Sequence, residues 1–384
     1  MVLGGERRGG VAARRKGGVA KGRKGDWAIG VAHTPIRLTS RASFHWTAAT
    51  PAGNAILAMR LWFAWFLGVN VLTASSSAVS LNTVCLQTKL RPLVSHINGR
   101  VGICVSDGQR AISQNGGQQF PLHSVFKLPV AVAILDAVDH GHLHLDDIVT
   151  IRQSDLGMGI QPLAKLVGPN GFKTTINDLL VRMIVDSDGA ATDFLIAKVG
   201  GPSAVQKTLV QKGLRGFNID RDERDLGAEE TGLRWDPKYV DEKVLDQANK
   251  GVSNGQRDHG FHASQHHDTA TPDAVGTLLQ WLANGTLLSP RSSALLLETM
   301  VKTRTFPDRL KAGVPEGWLL AHKTGTSSTW KGVTGATNDV GILMAPDAST
   351  FVVAVVFIAN SRNSDNERAQ WIADVARAIG DCSE

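Results

Sequence analysis

The pattern of apolar and polar positions is dominated by one long apolar run, Val125 to Leu135, interrupted by a single charged residue, Lys127. The run ends near His140-Gly141, which predicts a buried helix stopped by glycine. Before it, Gly102 to Ser106 and Arg110 to Ser113 flank Asp107-Gly108 and predict a β-hairpin. After it comes a helix-rich middle: Ile176 to Asp186, Ala190 to Val199, Pro202 to Lys212, Pro272 to Asn284 and Pro290 to Lys302. Several of these begin at Pro, Ser or Thr and end at Gly. The final third turns to strands, at Trp318 to Gly325, Val340 to Met344 and Phe351 to Ile358. Asp365 to Ile379 then places Trp371, Ile372, Val375 and Ile379 at helical spacing. Strands at both ends around a helical middle predict one sheet assembled from both parts of the chain, with an inserted α-domain.

Charge divides the chain. Residues 1–58 carry ten Lys/Arg against two Asp/Glu, so the net +6 of the 384 residues leaves −2 for the remainder. The basic character therefore belongs to a Gly/Arg/Lys/Ala tail without helical or strand period, and says nothing of the folded body's partners. Such a tail reads either as a nucleic-acid-binding arm or as sequence ahead of a true start at Met59. The residues after Met59 favour the second. Met59-Arg60 is a short basic region, Leu61 to Leu72 has the length of a signal-peptide core, and Ser76-Ser77-Ala78 offers a cleavage site. Export with a mature start near Val79 is expected. Cys85, Cys104 and Cys382 show no zinc or redox spacing, and one of them stays unpaired within the chain.

Chemistry enters at Ser124 and Lys127. Three apart at a helix start, they share one face, so the amine reaches the hydroxyl. The helix N-terminus adds N–H groups suited to an oxyanion. Alone, Ser-x-x-Lys also fits an N-cap serine followed by a solvated lysine. Three further motifs come after it in order: Ser187-Asp188-Gly189 between two helical stretches, Arg221-Asp222-Glu223-Arg224-Asp225-Leu226 in a polar, loop-like segment, and Lys323-Thr324-Gly325 ending an apolar strand before Thr326.

On these four motifs the chain from about Leu86 to Ile379 resembles a class A β-lactamase, a serine hydrolase of the penicillin-recognising superfamily. Asn338-Asp339 and Asp268-Thr269-Ala270-Thr271-Pro272 are further family-like segments. The resemblance implies an α/β sandwich (α+β): an antiparallel five-stranded sheet, flanked by helices, in a domain of residues 79–147 and 290–384. The inserted all-α domain would span 148–289, with an extended Ω-loop at 218–270.

It also implies roles. Ser124 attacks the lactam carbonyl, and Lys127 or Glu223 takes the proton. Ser187 relays a proton to the ring nitrogen, and Lys323, Thr324, Gly325, Thr326 and Arg309 hold the substrate with the position of Gly189. Backbone N–H groups of Ser124 and Thr326 form the oxyanion hole, and Glu223 activates the deacylating water. Arg221 and Asp268 tie the ends of the Ω-loop. The implied reaction is β-lactam hydrolysis without cofactor or metal, by a periplasmic or secreted monomer that binds neither nucleic acid nor, after signal cleavage, membrane. A D-Ala-D-Ala peptidase and a sensor that acylates without turnover are the alternatives.

Two positions depart from the family pattern. Gly189 stands where an Asn usually contacts the substrate, and Gly227 where an Asn usually helps hold the hydrolytic water. The stretch from Gly227 to Asp268 is also several times longer than its family counterpart. Its His259, His262, His266 and His267 lack supporting Cys or carboxylate spacing, so they read as solvated rather than metal-binding.

Overall fold

The computed structural model describes residues 80–346 and 350–383. The basic stretch 1–58 and the signal-like segment 59–78 lie outside them. In chain order the elements begin with α1 (Thr83–Ser95), β1 (Arg100–Ser106), β2 (Ala111–Gln114) and β3 (Phe120–Pro121). A 3-10 turn, His123–Phe126, leads into α2 (Lys127–Asp139). Then come β4 (Ile148–Ile151), β5 (Phe172–Thr175), α3 (Ile176–Val185), α4 (Gly189–Val199), α5 (Pro202–Gln211), β6 (Phe217–Asn218) and α6 (Glu223–Glu230). They are followed by α7 (Glu242–Gly251), α8 (Asn254–Ser264), β7 (Thr269–Ala270), α9 (Pro272–Ala283), α10 (Pro290–Val301) and α11 (Leu310–Gly313). The chain closes with β8 (Leu319–Thr326), β9 (Thr329–Trp330), β10 (Val333–Met344), β11 (Phe351–Ser361) and α12 (Asp365–Asp381).

The main sheet is antiparallel in the order β2-β1-β11-β10-β8, with the two-residue β9 added against β10. These are the expected five strands plus one short one, and β10 starts seven residues before the predicted Val340. Its N-terminal half, Val333 to Asp339, is rich in polar residues yet buried, so apolar pattern alone could not find it. β11 explains the architecture most directly. Val353, Val355, Phe357 and Ala359 face one core, while Val352, Ala354, Val356 and Ile358 face the other. A strand buried on both faces must be apolar at every position. The first core takes in α2 through α5, α9 and α10; the second is closed by α1 and α12.

Local signals hold the helices where they were expected. Thr175, Asp188, Thr271 and Ser289 each accept a backbone N–H as N-cap, and Pro272 and Pro290 occupy first-turn positions. Ser364 and Glu367 form a capping box at the head of α12. The segment 218–270 corrects the reading of a polar loop. It contains α6, α7 and α8, each with an Asp or Ser N-cap, and their low apolar content had hidden them.

Cys85 in α1 is disulfide-bonded to Cys382, just beyond α12, across 297 residues of chain. Cys104 is buried in β1, where burial and the nearby Asp273 push its thiol up to about 12, so it is an inert core residue. Replacing Cys85 and Cys382 together with Ser should cost about 2–5 kcal/mol through the enlarged unfolded ensemble. Denaturant unfolding reads this as a lower midpoint. An unchanged midpoint would contradict it.

Candidate active site

Ser124 lies in the 3-10 turn and Lys127 is the first residue of α2. The alternative reading of Ser124 as an N-cap followed by a solvated lysine is not what forms: Leu122 and Phe126 cap the two helices, neither with a side-chain hydrogen bond. Ser124 Oγ instead accepts from Lys127 Nζ at 2.9 Å, and the same ammonium donates to Glu223 Oε1. Lys127 is fully buried, so its charge is held by the Glu223 carboxylate and the Ser124 hydroxyl together.

β8 forms the opposite wall. Lys323 Nζ donates to Ser187 Oγ at 3.0 Å and to Thr324 O at 3.0 Å. Burial, then repulsion from Lys127, holds the Lys323 amine well below the usual lysine range. The Thr324 and Thr305 hydroxyls are paired at 2.6 Å. Arg309 is buried, with its guanidinium 3.8 Å from the Phe306 ring centroid. It donates to Thr326 Oγ1 at 2.7 Å, Asn338 O at 3.0 Å and Gly325 O at 3.3 Å. Arg309 therefore stands behind Thr326 rather than alone on the surface.

Glycine at 325 has a direct cause. A Cβ there would collide with Leu122 O and come within 3.0 Å of Val125 N, so only glycine lets β8 lie against the turn that carries Ser124. Asn338 Nδ2 secures the same junction by donating to Pro121 O at 2.8 Å and Leu122 O at 3.0 Å. Two residues of the site adopt the left-handed backbone, His123 at φ 45° and Ser187 at φ 59°. Such strain persists only where surrounding structure imposes it. Asp188 supplies that restraint beside Ser187, accepting from Ala191 N at 2.9 Å and Leu163 N at 2.6 Å.

Gly189 donates its N–H to Ile160 O at 2.8 Å, and a Cβ would stand 3.5 Å from Glu223 Oε2. Gly227 lies on α6 against Met158, whose Cβ would be 3.3 Å from an added side chain. An Asn at 227 therefore needs Met158 to give by a few tenths of an ångström.

Arg221 Nε donates to Asp268 Oδ2 at 2.9 Å, and Asp268 Oδ1 accepts the backbone N–H groups of Asp220 and Arg221 at 3.0 and 3.2 Å. Burial pushes the Asp268 carboxyl up to about 6, opposed by Arg221. The Asp268 carbonyl accepts from Leu122 N at 2.9 Å, so this junction also braces the Ser124 turn. Of the four histidines of this segment, His259, His262 and His266 are exposed, and the half-buried His267 has its Nδ1 2.7 Å from Asp220 Oδ2. Among the described residues no three His, Cys, Asp or Glu side chains converge as a metal site.

Sequence reasoning missed Asp193. Its Oδ1 accepts the backbone N–H of Glu223 at 2.7 Å, and its Oδ2 lies 3.5 Å from Arg224 Nε. Burial, then Asp222 and Glu223, raise its carboxyl well above the usual range. The available signal was its position four residues after Gly189 on one helix, hence on the same face.

Residues 85–382 match the profile of the β-lactamase enzyme family. The chain is 30% identical over 306 residues to the extended-spectrum β-lactamase PER-1 of Pseudomonas aeruginosa, covering 79% of this chain and 89% of that protein. It is 28% identical over 296 residues to β-lactamase VEB-1 of the same organism, covering 76% and 88%. Among solved structures, a β-lactamase from Chitinophaga pinensis DSM 2588 aligns with a TM-score of 0.64 at 28% identity, covering 77% of this chain and 98% of that one.

Proposed function

Since the chain belongs to the class A serine β-lactamase family, we infer that it hydrolyses β-lactam antibiotics through an acyl-Ser124 intermediate. The observation that carries this reading is Lys127, whose one buried ammonium binds both the Ser124 hydroxyl and the Glu223 carboxylate. In acylation Ser124 Oγ attacks the lactam carbonyl carbon while its proton passes to Glu223, or to Lys127 once that ammonium has given a proton to the Glu223 carboxylate. Backbone N–H groups of Ser124 and Thr326 receive the oxyanion. The C–N bond then breaks, and the ring nitrogen takes a proton through Ser187, which lies on Lys323. The carboxylate of the substrate is held by Lys323, Thr324 and Thr326, the last supported by Arg309.

Deacylation needs a water that loses its proton as it attacks the ester, and Glu223 is the carboxylate placed for that task. A sensor that stalls after acylation has no step that uses such a base. Export fits the Cys85–Cys382 disulfide, which persists in an oxidising compartment. Among the described residues no helix is long and apolar enough to cross a membrane.

The test is a chromogenic cephalosporin added to the purified protein. Many turnovers per active site are expected. A single stoichiometric burst would make the protein a sensor, and no reaction at all would remove the reading.

A further inference from the structure

Residues 231–264 join the two walls of the cleft. We propose that this insertion is a tie that sets the gap between the Glu223-bearing helix α6 and the rim that follows β8, with Asp258 as its positioning residue, and that the gap selects substrates by the bulk of their acyl side chain. The proposal rests on the β-lactamase reading above.

At one end the insertion is locked to α6. A Cβ on Gly260 of α8 would collide with Glu229 O. Gly232, at φ 80°, would with a side chain come within 2.8 Å of the Gln256 backbone. Two glycines thus let α8 lie directly on the end of α6. Tyr239 of the insertion joins Met158 and the α6 residue Ala228 in a small separate apolar core, so the insertion is packed rather than a loose loop.

At the other end the insertion holds the rim. Asp258 of α8 accepts from Trp330 Nε1 and from Lys331 Nζ, the latter at 2.6 Å. Glu230 Oε1, at the end of α6, accepts from Ser328 N at 2.7 Å. These contacts fasten the rim turn after Thr326 to the element that carries Glu223.

A β-lactam carries its carboxylate on one side of the reacting carbonyl and its acylamino chain on the other. With the carboxylate at Thr324 and Thr326, the acyl chain leaves between the end of β8 and α6, the gap these contacts span. Lys331 and Asp258 are partly exposed, so their ion pair adds little to global stability. Cutting it should alter the gap more than the fold.

The experiment compares two cephalosporins with the same ring system, one bearing a small acyl side chain and one a bulky branched chain. In Asp258→Ala the ratio of kcat/KM for the bulky to the small substrate should rise roughly tenfold, the scale of a misfit of one or two methylene groups. Trp330→Phe, which loses the N–H donor to Asp258 together with part of the ring, should move the ratio the same way. Asp258→Asn, which keeps an acceptor for Trp330, should stay near wild type. The melting temperature and kcat for the small substrate should hold in all three. A ratio unchanged in both Asp258→Ala and Trp330→Phe overturns the proposal, as does an equal loss for both substrates alongside a lower melting temperature. Failure of the underlying reading is seen separately, as wild-type protein that turns over neither substrate.

Discussion

Glu223→Gln is expected to acylate and then hold its acyl group, with deacylation slowed by about 10²–10⁴-fold, the usual cost of losing a general base. An amide cannot take the proton of the attacking water, although its oxygen can still accept from Lys127 Nζ, which now donates to Glu223 Oε1. The buried ammonium therefore keeps a partner, and the fold should survive. Mass spectrometry of the intact adduct reads the result, since the trapped ester adds the mass of the opened lactam. Two outcomes speak against the assignment. Turnover at the wild-type rate would mean that another group activates the water. An adduct equally stable in the wild type with every β-lactam would mean that Glu223 does not act as base at all.

Ser124→Ala should abolish covalent labelling by penicillin altogether, because no other group can form the ester that Ser124 forms. Its effect on stability should be small. Ser124 accepts one hydrogen bond, from the buried Lys127 ammonium, which keeps Glu223 as a partner, and caps no helix, so the change should be about 1.5 kcal/mol, the low end for a bond to a charged group. Thermal unfolding alongside mass spectrometry separates the two effects. Labelling that persists at the wild-type rate would move the nucleophile elsewhere, and a large fall in stability would give Ser124 a structural role that its contacts do not suggest.

The helices with strong caps were legible because their signals are local. Ser289-Pro290, Thr271-Pro272 and the Ser364 to Glu367 box each act within four residues. The polar half of β10 was not legible. Thr337, Asn338 and Asp339 are buried because β8 and β11 flank them, and their hydrogen bonds go to residues far along the chain. Asn338 bonds to Pro121 and Leu122, and Asp339 Oδ2 accepts from Leu310 N at 3.1 Å. The helices α7 and α8 were missed for a related reason. Their sequences are mostly polar, and the pattern that would mark a buried face is sparse where only a small core is covered.

By itself the sequence determined which residue types could do the chemistry and in what order they occur. It placed a lysine inside an apolar run three residues after Ser124, and a lysine at the end of a strand at 323. Local spacing decides such features, because a helical turn brings positions three apart onto one face whatever surrounds them. Only the tertiary structure decided that Glu223, 96 positions from Lys127, meets the same ammonium as Ser124, and that Lys323 reaches Ser187 across 136. It alone decided that Cys85 pairs with Cys382, that Asp193 holds the backbone of Glu223, and that the insertion joins both walls of the cleft. Those contacts depend on how the sheet and helices pack, and packing is set by the whole buried surface rather than by any single stretch of chain.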